Sequence, residues 1–202
     1  MSREANRLVV FLKAPRVGKV KTRLAETLGA EAARAAYVKL VETLCANLAS
    51  LRAVELCFTP AEAATEIQPW LREGWSRFPQ STGDLGQRLD AAFTAHFRTD
   101  AERVVIIGSD CPAVTTTDIE DAWLALEAHD VVLGPALDGG YWLIGLRAPQ
   151  PELFRMMPWS TDGVFSETMR RAREAGLRVA TLRELADVDT AADWERWRAR
   201  PG

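Results

Sequence analysis

The feature that most constrains this chain is an apolar segment that runs directly into a cationic loop. Residues 8–12 are apolar and include β-branched valines, which is typical of a buried strand. The loop at residues 13–24 contains three of the four lysines of the chain, Lys13, Lys19 and Lys21. Arginine supplies the positive charge elsewhere, so these lysines indicate a use for compact, mobile ammonium groups. We interpret the loop as a binding site for a small anion; the alternative is an ordinary solvent-exposed basic loop.

Length and composition predict one globular domain that spans residues 1–202. Hydrophobic residues make up 48% of the chain and charged residues 26%, which is enough to build a full core. The formal charge of −3 argues against a general nucleic-acid or anionic-membrane surface, because such surfaces need a basic excess. A basic loop in an acidic protein instead favours one small anionic ligand.

The three cysteines indicate a reducing compartment. Cys45, Cys57 and Cys111 are odd in number and form no C-x-x-C pair, so we expect a cytoplasmic protein without disulfides. No apolar stretch approaches the roughly 18 residues that a membrane span requires. With two histidines outside any partner motif and no G-x-S-x-G sequence, a Ser-His-Asp hydrolase is also disfavoured.

Strand and helix patterns alternate along the chain. After the first strand, further strands are predicted at residues 54–58, 75–78, 104–108, 131–135, 141–146 and 178–182. This alternation predicts an α/β fold, a three-layer α/β/α sandwich with helices on both faces of the sheet. A tight turn at residues 138–140 leads directly into the next strand, so the sheet is predicted to be mixed and mostly parallel.

Helix boundaries are predicted from capping residues, glycine and proline. A short helix over residues 22–28 is closed by Gly29, and another helix extends from Thr59 and Pro60 to about Leu71. The predicted N-caps of the later helices are Asp84, Thr117 and Asp162.

Three polar segments follow predicted strands and should converge. In open α/β sheets, ligands bind beyond the carboxyl ends of the strands. The lysine-rich loop, Asp110 and the pair Asp187 and Asp189 all leave strands at these ends. The sequence therefore predicts one cleft with cations on one side and carboxylates on the other.

The loop has features of a phosphate site. Lys19, Lys21 and Arg23 alternate, so their side chains would share one side of an extended segment. Gly18 permits a turn, and a helix that begins at Thr22 would direct partial positive charge towards an anion. The spacing matches neither a Walker loop nor a G-x-G-x-x-G fingerprint, which disfavours P-loop enzymes and dinucleotide dehydrogenases.

Asp110, Asp187 and Asp189 form a candidate metal site. Like charges so close together are costly unless a cation neutralises them, and Mg²⁺ prefers carboxylate oxygens. The alternatives remain open: Asp187 and Asp189 would cap the helix before Thr190, and Asp110 would satisfy a turn.

Two further segments are candidates for substrate contact. Residues 138–140 form either a plain hairpin turn or a surface on which a substrate lies, with Asp138 binding a hydroxyl group. Trp159 either stacks on a substrate or covers the core. Cys111 is not expected to be an activated thiolate, because the neighbouring carboxylate raises its pKa.

Taken together, five motifs resemble the nucleotide-diphospho-sugar transferase superfamily with the GT-A fold. They lie in order at residues 13–24, 80–89, 108–112, 138–142 and 187–190. The set is similar to bacterial glycosyltransferases associated with radical-SAM and selenodomain proteins. It is also similar to phospholactate guanylyltransferases and, more distantly, to molybdenum-cofactor nucleotidyltransferases.

The resemblance implies roles for individual residues. Catalytic roles are implied for Lys21, Arg23 and Asp110. Nucleotide and phosphate binding is implied for Leu12, Ala14, Pro15, Gly18, Lys19, Lys21, Arg23, Gly83, Asp84, Gly86 and Arg88. Acceptor or sugar binding is expected from Asp138, Gly139, Gly140, Trp159 and Thr161. Binding of Mg²⁺ or Mn²⁺ is implied for Asp110, Asp187 and Asp189. One departure is that many GT-A glycosyltransferases carry Asp-x-Asp where this chain has Asp110-Cys111-Pro112.

The expected activity is a metal-dependent transfer from a nucleotide-activated donor to a small-molecule acceptor. Glycosyl transfer from a nucleotide-diphospho-sugar is the first expectation. The alternative is transfer of a nucleoside monophosphate from a triphosphate to a small phosphorylated acceptor. A second alternative is a non-catalytic nucleotide-binding protein. No nucleic-acid partner is expected, and the oligomeric state is left open, with a homodimer among the options.

Overall fold

A seven-stranded mixed sheet forms the centre of the molecule. The structure is a computed structural model, and it describes residues 5–199. The strands are β1 (Asn6–Lys13), β2 (Val54–Thr59), β3 (Ser76–Pro79), β4 (Arg103–Gly108), β5 (Val131–Pro135), β6 (Tyr141–Leu146) and β7 (Val179–Thr181). Their order in the sheet is β3-β2-β1-β4-β6-β5-β7, and β6 alone runs antiparallel to its neighbours. The predicted mixed, mostly parallel sheet is confirmed.

Helices cover both faces of this sheet. They are α1 (Thr22–Leu28), α2 (Ala30–Asn47), α3 (Ala64–Ile67), α4 (Leu85–Phe97), α5 (Thr116–Ala125), α6 (Val164–Glu174) and α7 (Ala191–Arg198). On β1, Leu8 and Val10 face the core shared with α2 and α5, whereas Val9 faces the core shared with α4 and α6. Side chains alternate across a strand, so one apolar run serves both cores. Each fully buried aliphatic side chain contributes about 1.5–3 kcal/mol. The α/β/α sandwich is confirmed.

The predicted helix from Thr59 to about Leu71 is wrong in length. Thr59 is the last residue of β2, and the helix α3 is limited to Ala64–Ile67. A 3₁₀ turn at Gln68–Trp70 follows, with Pro69 near its start. Proline has no backbone N–H and its ring clashes with the preceding helical turn, so Pro69 ends the α-helical hydrogen bonding.

The start of α5 also differs from the prediction. Its N-cap is Thr115 rather than Thr117. The Thr115 hydroxyl accepts from the Asp118 N–H at 3.4 Å, and the Asp118 carboxylate accepts from the Thr115 N–H at 2.8 Å. Such a capping box pairs the cap with an acid three residues later; Glu120 has the same spacing from Thr117, so spacing alone does not distinguish the two threonines.

Asp162 does not cap α6, contrary to the prediction. The N-cap is Gly163, which offers no side chain. Instead, the Phe165 N–H donates to the Gly139 carbonyl at 2.9 Å. A backbone carbonyl from the turn before β6 therefore satisfies an amide of the first helical turn, which otherwise would need a cap.

The topology gathers several loops at one edge of the sheet. The carboxyl ends of β1, β2, β4 and β5 lie there because these strands are parallel, and the antiparallel β6 begins there. Among the described residues, no helix has the length and apolar character needed to cross a membrane.

Candidate functional site

A cleft of about 460 Å³ opens at the edge of the sheet where β1 and β4 end. Backbone and side chains of the first loop, the end of β4 and the start of α4 line it. Its charged lining residues are Lys13, Lys21, Arg23, Arg88, Asp110 and Asp189. The predicted meeting of the cationic loop with Asp110 and Asp189 is therefore present in the fold.

Lys21 contacts both carboxylates that line this cleft. Its ammonium Nζ forms ion pairs with Oδ1 of Asp110 and, at 2.8 Å, with Oδ1 of Asp189. The Lys21 side chain is 3% exposed, whereas those of Asp110 and Asp189 are 48% and 41% exposed. Burial alone would lower the pKa of Lys21, but the charges of Asp110 and Asp189 outweigh it and raise that pKa. The ammonium is therefore held protonated between two carboxylates.

The backbone of Lys21 is unusual in a way that serves this geometry. Lys21 is the residue before α1 and has a left-handed conformation, with φ 48° and ψ 50°. A non-glycine residue there pays a conformational cost, which the two ion pairs offset. The reversal lets α1 begin at Thr22 while the Lys21 side chain enters the cleft.

The first loop is a turn rather than the extended segment expected from the alternating cations. The Lys19 N–H donates to the Arg16 carbonyl at 3.0 Å, which separates the exposed Lys19 from the buried side chain of Lys21. Arg16 is engaged elsewhere, because its guanidinium binds Glu66 at 2.7 Å and Glu62 at 3.0 Å. Arg16 thus fastens the loop to the segment containing α3 and is not a ligand group.

Tyr37 joins the two strand ends that form the floor of the cleft. Its hydroxyl accepts from the Lys13 N–H at 2.8 Å and lies 3.1 Å from the Lys13 carbonyl and 3.2 Å from Ser109 Oγ. In the sequence, Tyr37 lies among apolar residues at helical spacing, which predicts only the buried face of α2. Nothing local could have shown this role, because Ser109 lies 72 positions away.

Gln80 performs a similar function on the other side of β1. Its amide Nε2 donates to the Cys57 carbonyl at 2.9 Å, and its Oε1 accepts from Arg88 at 3.0 Å. Arg88 also donates to the Asp84 carbonyl at 3.2 Å. The Arg88 guanidinium is thereby oriented at the wall of the cleft, and Gln80 is a lining residue that the sequence prediction omitted.

Asp187 carries a strongly perturbed carboxyl group. Its pKa is raised to about 7, first by burial and then by the charges of Asp110, Asp138 and Asp189, which Lys21 only partly opposes. It lines a separate small cavity of about 20 Å³ and is not among the residues that line the cleft. At Asp187, burial and the neighbouring carboxylates therefore outweigh the opposing charge of Lys21.

Capping of the last helix does not explain Asp187 and Asp189. The N-cap of α7 is Thr190, whose N–H donates to Asp193 Oδ2 at 2.8 Å. The side chains of Asp187 and Asp189 play no part in this capping box. The backbone carbonyl of Asp110 accepts from the Val188 N–H at 2.9 Å, which holds the two segments side by side.

The donor set suits a divalent cation held jointly with a substrate. In the part of the chain that the structure describes, no group of three or more His, Cys, Asp or Glu side chains is arranged to bind a metal. Asp110 and Asp189, however, share one cationic partner and are both open to the cleft. Mg²⁺ is commonly bound by one or two carboxylates together with substrate phosphates and water, so these two residues fit such an ion.

Several residues of the implied nucleotide set lie outside the lining of the cleft. Leu12, Lys21, Arg23 and Arg88 line it, whereas Ala14, Pro15, Gly18, Lys19, Gly83, Asp84 and Gly86 do not. The carboxylate of Asp84 caps α4 by accepting from the Gln87 N–H at 2.9 Å, as the sequence predicted. A Cβ on Gly86 would lie 2.6 Å from the Phe154 carbonyl oxygen, so this glycine permits close packing.

None of the implied acceptor residues lines the cleft. Asp138 accepts from the Gly140 N–H at 2.9 Å and closes the turn, and Gly139 packs against the Asp162 backbone. Thr161 Oγ1 donates to the Pro158 carbonyl at 2.8 Å. Ser160, between two implied residues, does line the cleft.

Trp159 contacts the core. Its ring meets Tyr141 edge to face, with centroids 6.4 Å apart, and no partner for the indole Nε1 lies within the described residues.

Cys111 is buried, and burial first and the charge of Asp187 second raise its pKa to about 12. The expectation of an unactivated thiol is confirmed.

Comparison with known proteins places these features in context. The family model described as "Uncharacterized protein conserved in bacteria (DUF2064)" matches residues 43–161. A phosphoenolpyruvate guanylyltransferase from Sphaerobacter thermophilus is 25% identical over 191 residues, which cover 93% of this chain and 90% of that protein.

Two solved structures share the fold. A provisionally assigned nucleotide-diphospho-sugar transferase from Desulfovibrio desulfuricans G20 is 34% identical, with a TM-score of 0.90 over 96% of this chain and 87% of that one. CMP:2-keto-3-deoxy-manno-octonic acid synthetase complexed with CTP is 13% identical, with a TM-score of 0.60 over 96% and 97% of the two chains, and shows the fold alone. The resemblance to the nucleotide-diphospho-sugar transferase superfamily is confirmed. Because the matched residues span more than half of its length, the chain belongs to the DUF2064 family.

Proposed function

We propose that the chain transfers a nucleoside monophosphate from a nucleoside triphosphate to a small phosphorylated acceptor. The observation that carries this proposal is the buried ammonium of Lys21 between Asp110 and Asp189, inside a cleft that three further cations line. The comparisons support a transferase that acts on nucleotides.

The charge of the cleft favours a polyphosphate. Lys13, Lys21, Arg23 and Arg88 outnumber the two carboxylates that line the same space. Phosphate oxygens bind such groups through charge-assisted hydrogen bonds, which are stronger than neutral ones. A triphosphate uses more of these cations than a diphosphate does, and this favours nucleotidylyl over glycosyl transfer. The absence of Asp-x-Asp after β4 also favours nucleotidylyl over glycosyl transfer.

Asp110 and Asp189 would hold Mg²⁺ or Mn²⁺ together with the donor. When bound, the ion would neutralise phosphate charge and orient the phosphates. Asp187 lies close to these two carboxylates, since their charges contribute, after burial, to its raised pKa.

The residues of the chain supply positioning and electrostatic stabilisation. An acceptor phosphate oxygen forms a bond to the α-phosphorus, the bond from that phosphorus to the bridging oxygen breaks, and its electron pair leaves with pyrophosphate. Lys21 and Arg23 neutralise the charge that develops on the phosphates, and Arg88, fixed by Gln80, orients the donor. Tyr37 keeps the strand ends at constant separation.

The substrates to test first come from the relatives. The similarity to a phosphoenolpyruvate guanylyltransferase makes GTP the first donor and phosphoenolpyruvate the first acceptor. Pyrophosphate release is measured with each of the four nucleoside triphosphates, with Mg²⁺ or Mn²⁺, and with and without acceptor. We expect acceptor-dependent release with one nucleotide.

A matched pair of variants links that activity to the cleft. Lys21→Met should reduce turnover by roughly 10²–10³, the usual cost of losing one preorganised charge stabiliser. Lys39→Met makes the same change at an exposed site on α2, outside the cleft, and should leave turnover unchanged. Equal turnover by Lys21→Met and Lys39→Met would refute the proposal that the cleft is the active site.

Glycosyl transfer is the second candidate, because the relative with 34% identity is provisionally assigned to nucleotide-diphospho-sugar transfer. In that reaction the product is a nucleoside diphosphate and no pyrophosphate appears. Release of nucleoside diphosphate from nucleotide sugars, with none of pyrophosphate from triphosphates, would favour it. Binding of nucleotides without either product would favour the non-catalytic alternative.

A further inference from the structure

Lys21 lies where a cation shared by Asp110 and Asp189 would be expected. A single ammonium contacts Oδ1 of both carboxylates and is almost completely buried. We propose that Lys21 occupies the divalent-cation position while nucleotide is absent, so that the free protein binds metal weakly and the cation enters together with the donor. This inference rests on the proposed function, because it assumes a donor that carries a divalent cation.

Lys21 and a divalent ion cannot occupy the position between the two carboxylates at the same time. Both carboxylate oxygens that face the shared position already accept from Lys21. A divalent ion between the same oxygens would lie a few ångströms from the ammonium, where repulsion between like charges is strong in a partly desolvated cleft. The ion therefore binds the pair only after Lys21 has moved.

The structure also provides a reason for Lys21 to move. Its ammonium ends a flexible four-carbon stem, and Lys13, Arg23 and Arg88 line the cleft around it. Phosphates drawn in by these cations offer the ammonium new anionic partners within the same space. Leaving the carboxylates then costs little, because the incoming ion replaces the lost positive charge.

Thermodynamic linkage follows from this exchange. If donor phosphates release Asp110 and Asp189 for the cation, the cation strengthens binding of the donor by the same factor. Lys21 is thus a positioning residue for metal binding as well as a phosphate-binding group.

Manganese binding to the nucleotide-free protein tests this inference without any activity measurement. Free Mn²⁺ is titrated by electron paramagnetic resonance against wild type, Lys21→Met and the control Lys39→Met. We expect Lys21→Met to bind Mn²⁺ on the order of tenfold more tightly than the other two proteins. Asp189→Asn combined with Lys21→Met should lose this gain, which assigns the bound ion to the pair.

A second variant at the same position shows whether a change in Mn²⁺ binding comes from loss of the Lys21 charge or from misfolding of Lys21→Met. Lys21→Gln keeps a polar side chain of similar length, and Mn²⁺ should raise its Tm more than that of wild type, since ligands stabilise the folded state they bind. Equal or weaker Mn²⁺ binding by both Lys21 variants than by wild type would overturn the inference. The proposed function fails on a different result, the absence of pyrophosphate release by wild type, and that result leaves the nucleotide-free titration interpretable.

Discussion

Replacement of Asp187 by asparagine should stabilise the metal-free protein at alkaline pH. In the folded chain the pKa of Asp187 is raised to about 7 by burial and by neighbouring carboxylates, whereas an unperturbed aspartate titrates near about 3.9. Below about pH 4 the group is protonated in both states. Between about pH 4 and pH 7 the unfolded chain loses this proton while the folded chain keeps it, so folding stability falls as pH rises.

The size of the effect follows from the two pKa values. A difference of about three pH units corresponds to about 4 kcal/mol, since each unit is worth about 1.4 kcal/mol. Water in the cleft and in the small cavity beside Asp187 screens part of this, so we expect 2–4 kcal/mol, as a rough range, above pH 7. Asparagine has no proton to lose, so Asp187→Asn avoids this cost.

Urea unfolding at pH 4.5 and pH 8 in EDTA measures the difference. We expect Asp187→Asn to exceed wild type by roughly 2–4 kcal/mol at pH 8 and by no more than about 1 kcal/mol at pH 4.5. Glu184→Gln removes a carboxylate from an exposed position in the same segment and serves as the control. An equal gain at both pH values would refute the reasoning, because the gain would then come from packing and not from ionisation.

Three further predictions concern positions that the structure explains. Thr115→Ala should lower the free energy of unfolding by about 1 kcal/mol through loss of the α5 cap, while Thr117→Ala should lower it by less than about 0.5 kcal/mol. Equal losses in thermal unfolding would contradict the capping assignment. Arg88→Ala should lower kcat/KM by about 10² with little change in Tm, and unchanged kinetics would remove it from the donor site. Gly139→Ala should destabilise by about 3 kcal/mol or more in urea, because its Cβ would lie 2.1 Å from the Asp162 carbonyl oxygen at φ +86°.

The fold was largely predictable from local patterns. Residues 104–108 are apolar without interruption, and β4 is in fact central, with both faces covered. The turn at residues 138–140 predicted the one antiparallel strand, because so short a connection cannot return a chain to a parallel position. Element boundaries were less predictable where candidate caps lie close together, as Thr115 and Thr117 do.

The site was predictable in outline and not in its contacts. Strand ends placed Lys21, Asp110 and Asp189 together, since parallel strands deliver their loops to one edge. The alternation of cations could not show that Lys19 remains exposed while Lys21 is buried, because this depends on a turn and a left-handed residue. Gln80 and Tyr37 have distant partners, so no spacing within the sequence indicates their roles.

The ion pair between Lys21 and Asp189 also bears on how the protein is made. Its two residues are 168 positions apart, so the first is synthesised long before the second. Until the segment with Asp189 has joined the fold, Asp110 is the one carboxylate of this pair that Lys21 can bind. The cleft therefore gains its second carboxylate only when the segment that carries Asp189 packs against the end of β4, so the complete ion-pair arrangement requires the chain from Lys21 to Asp189.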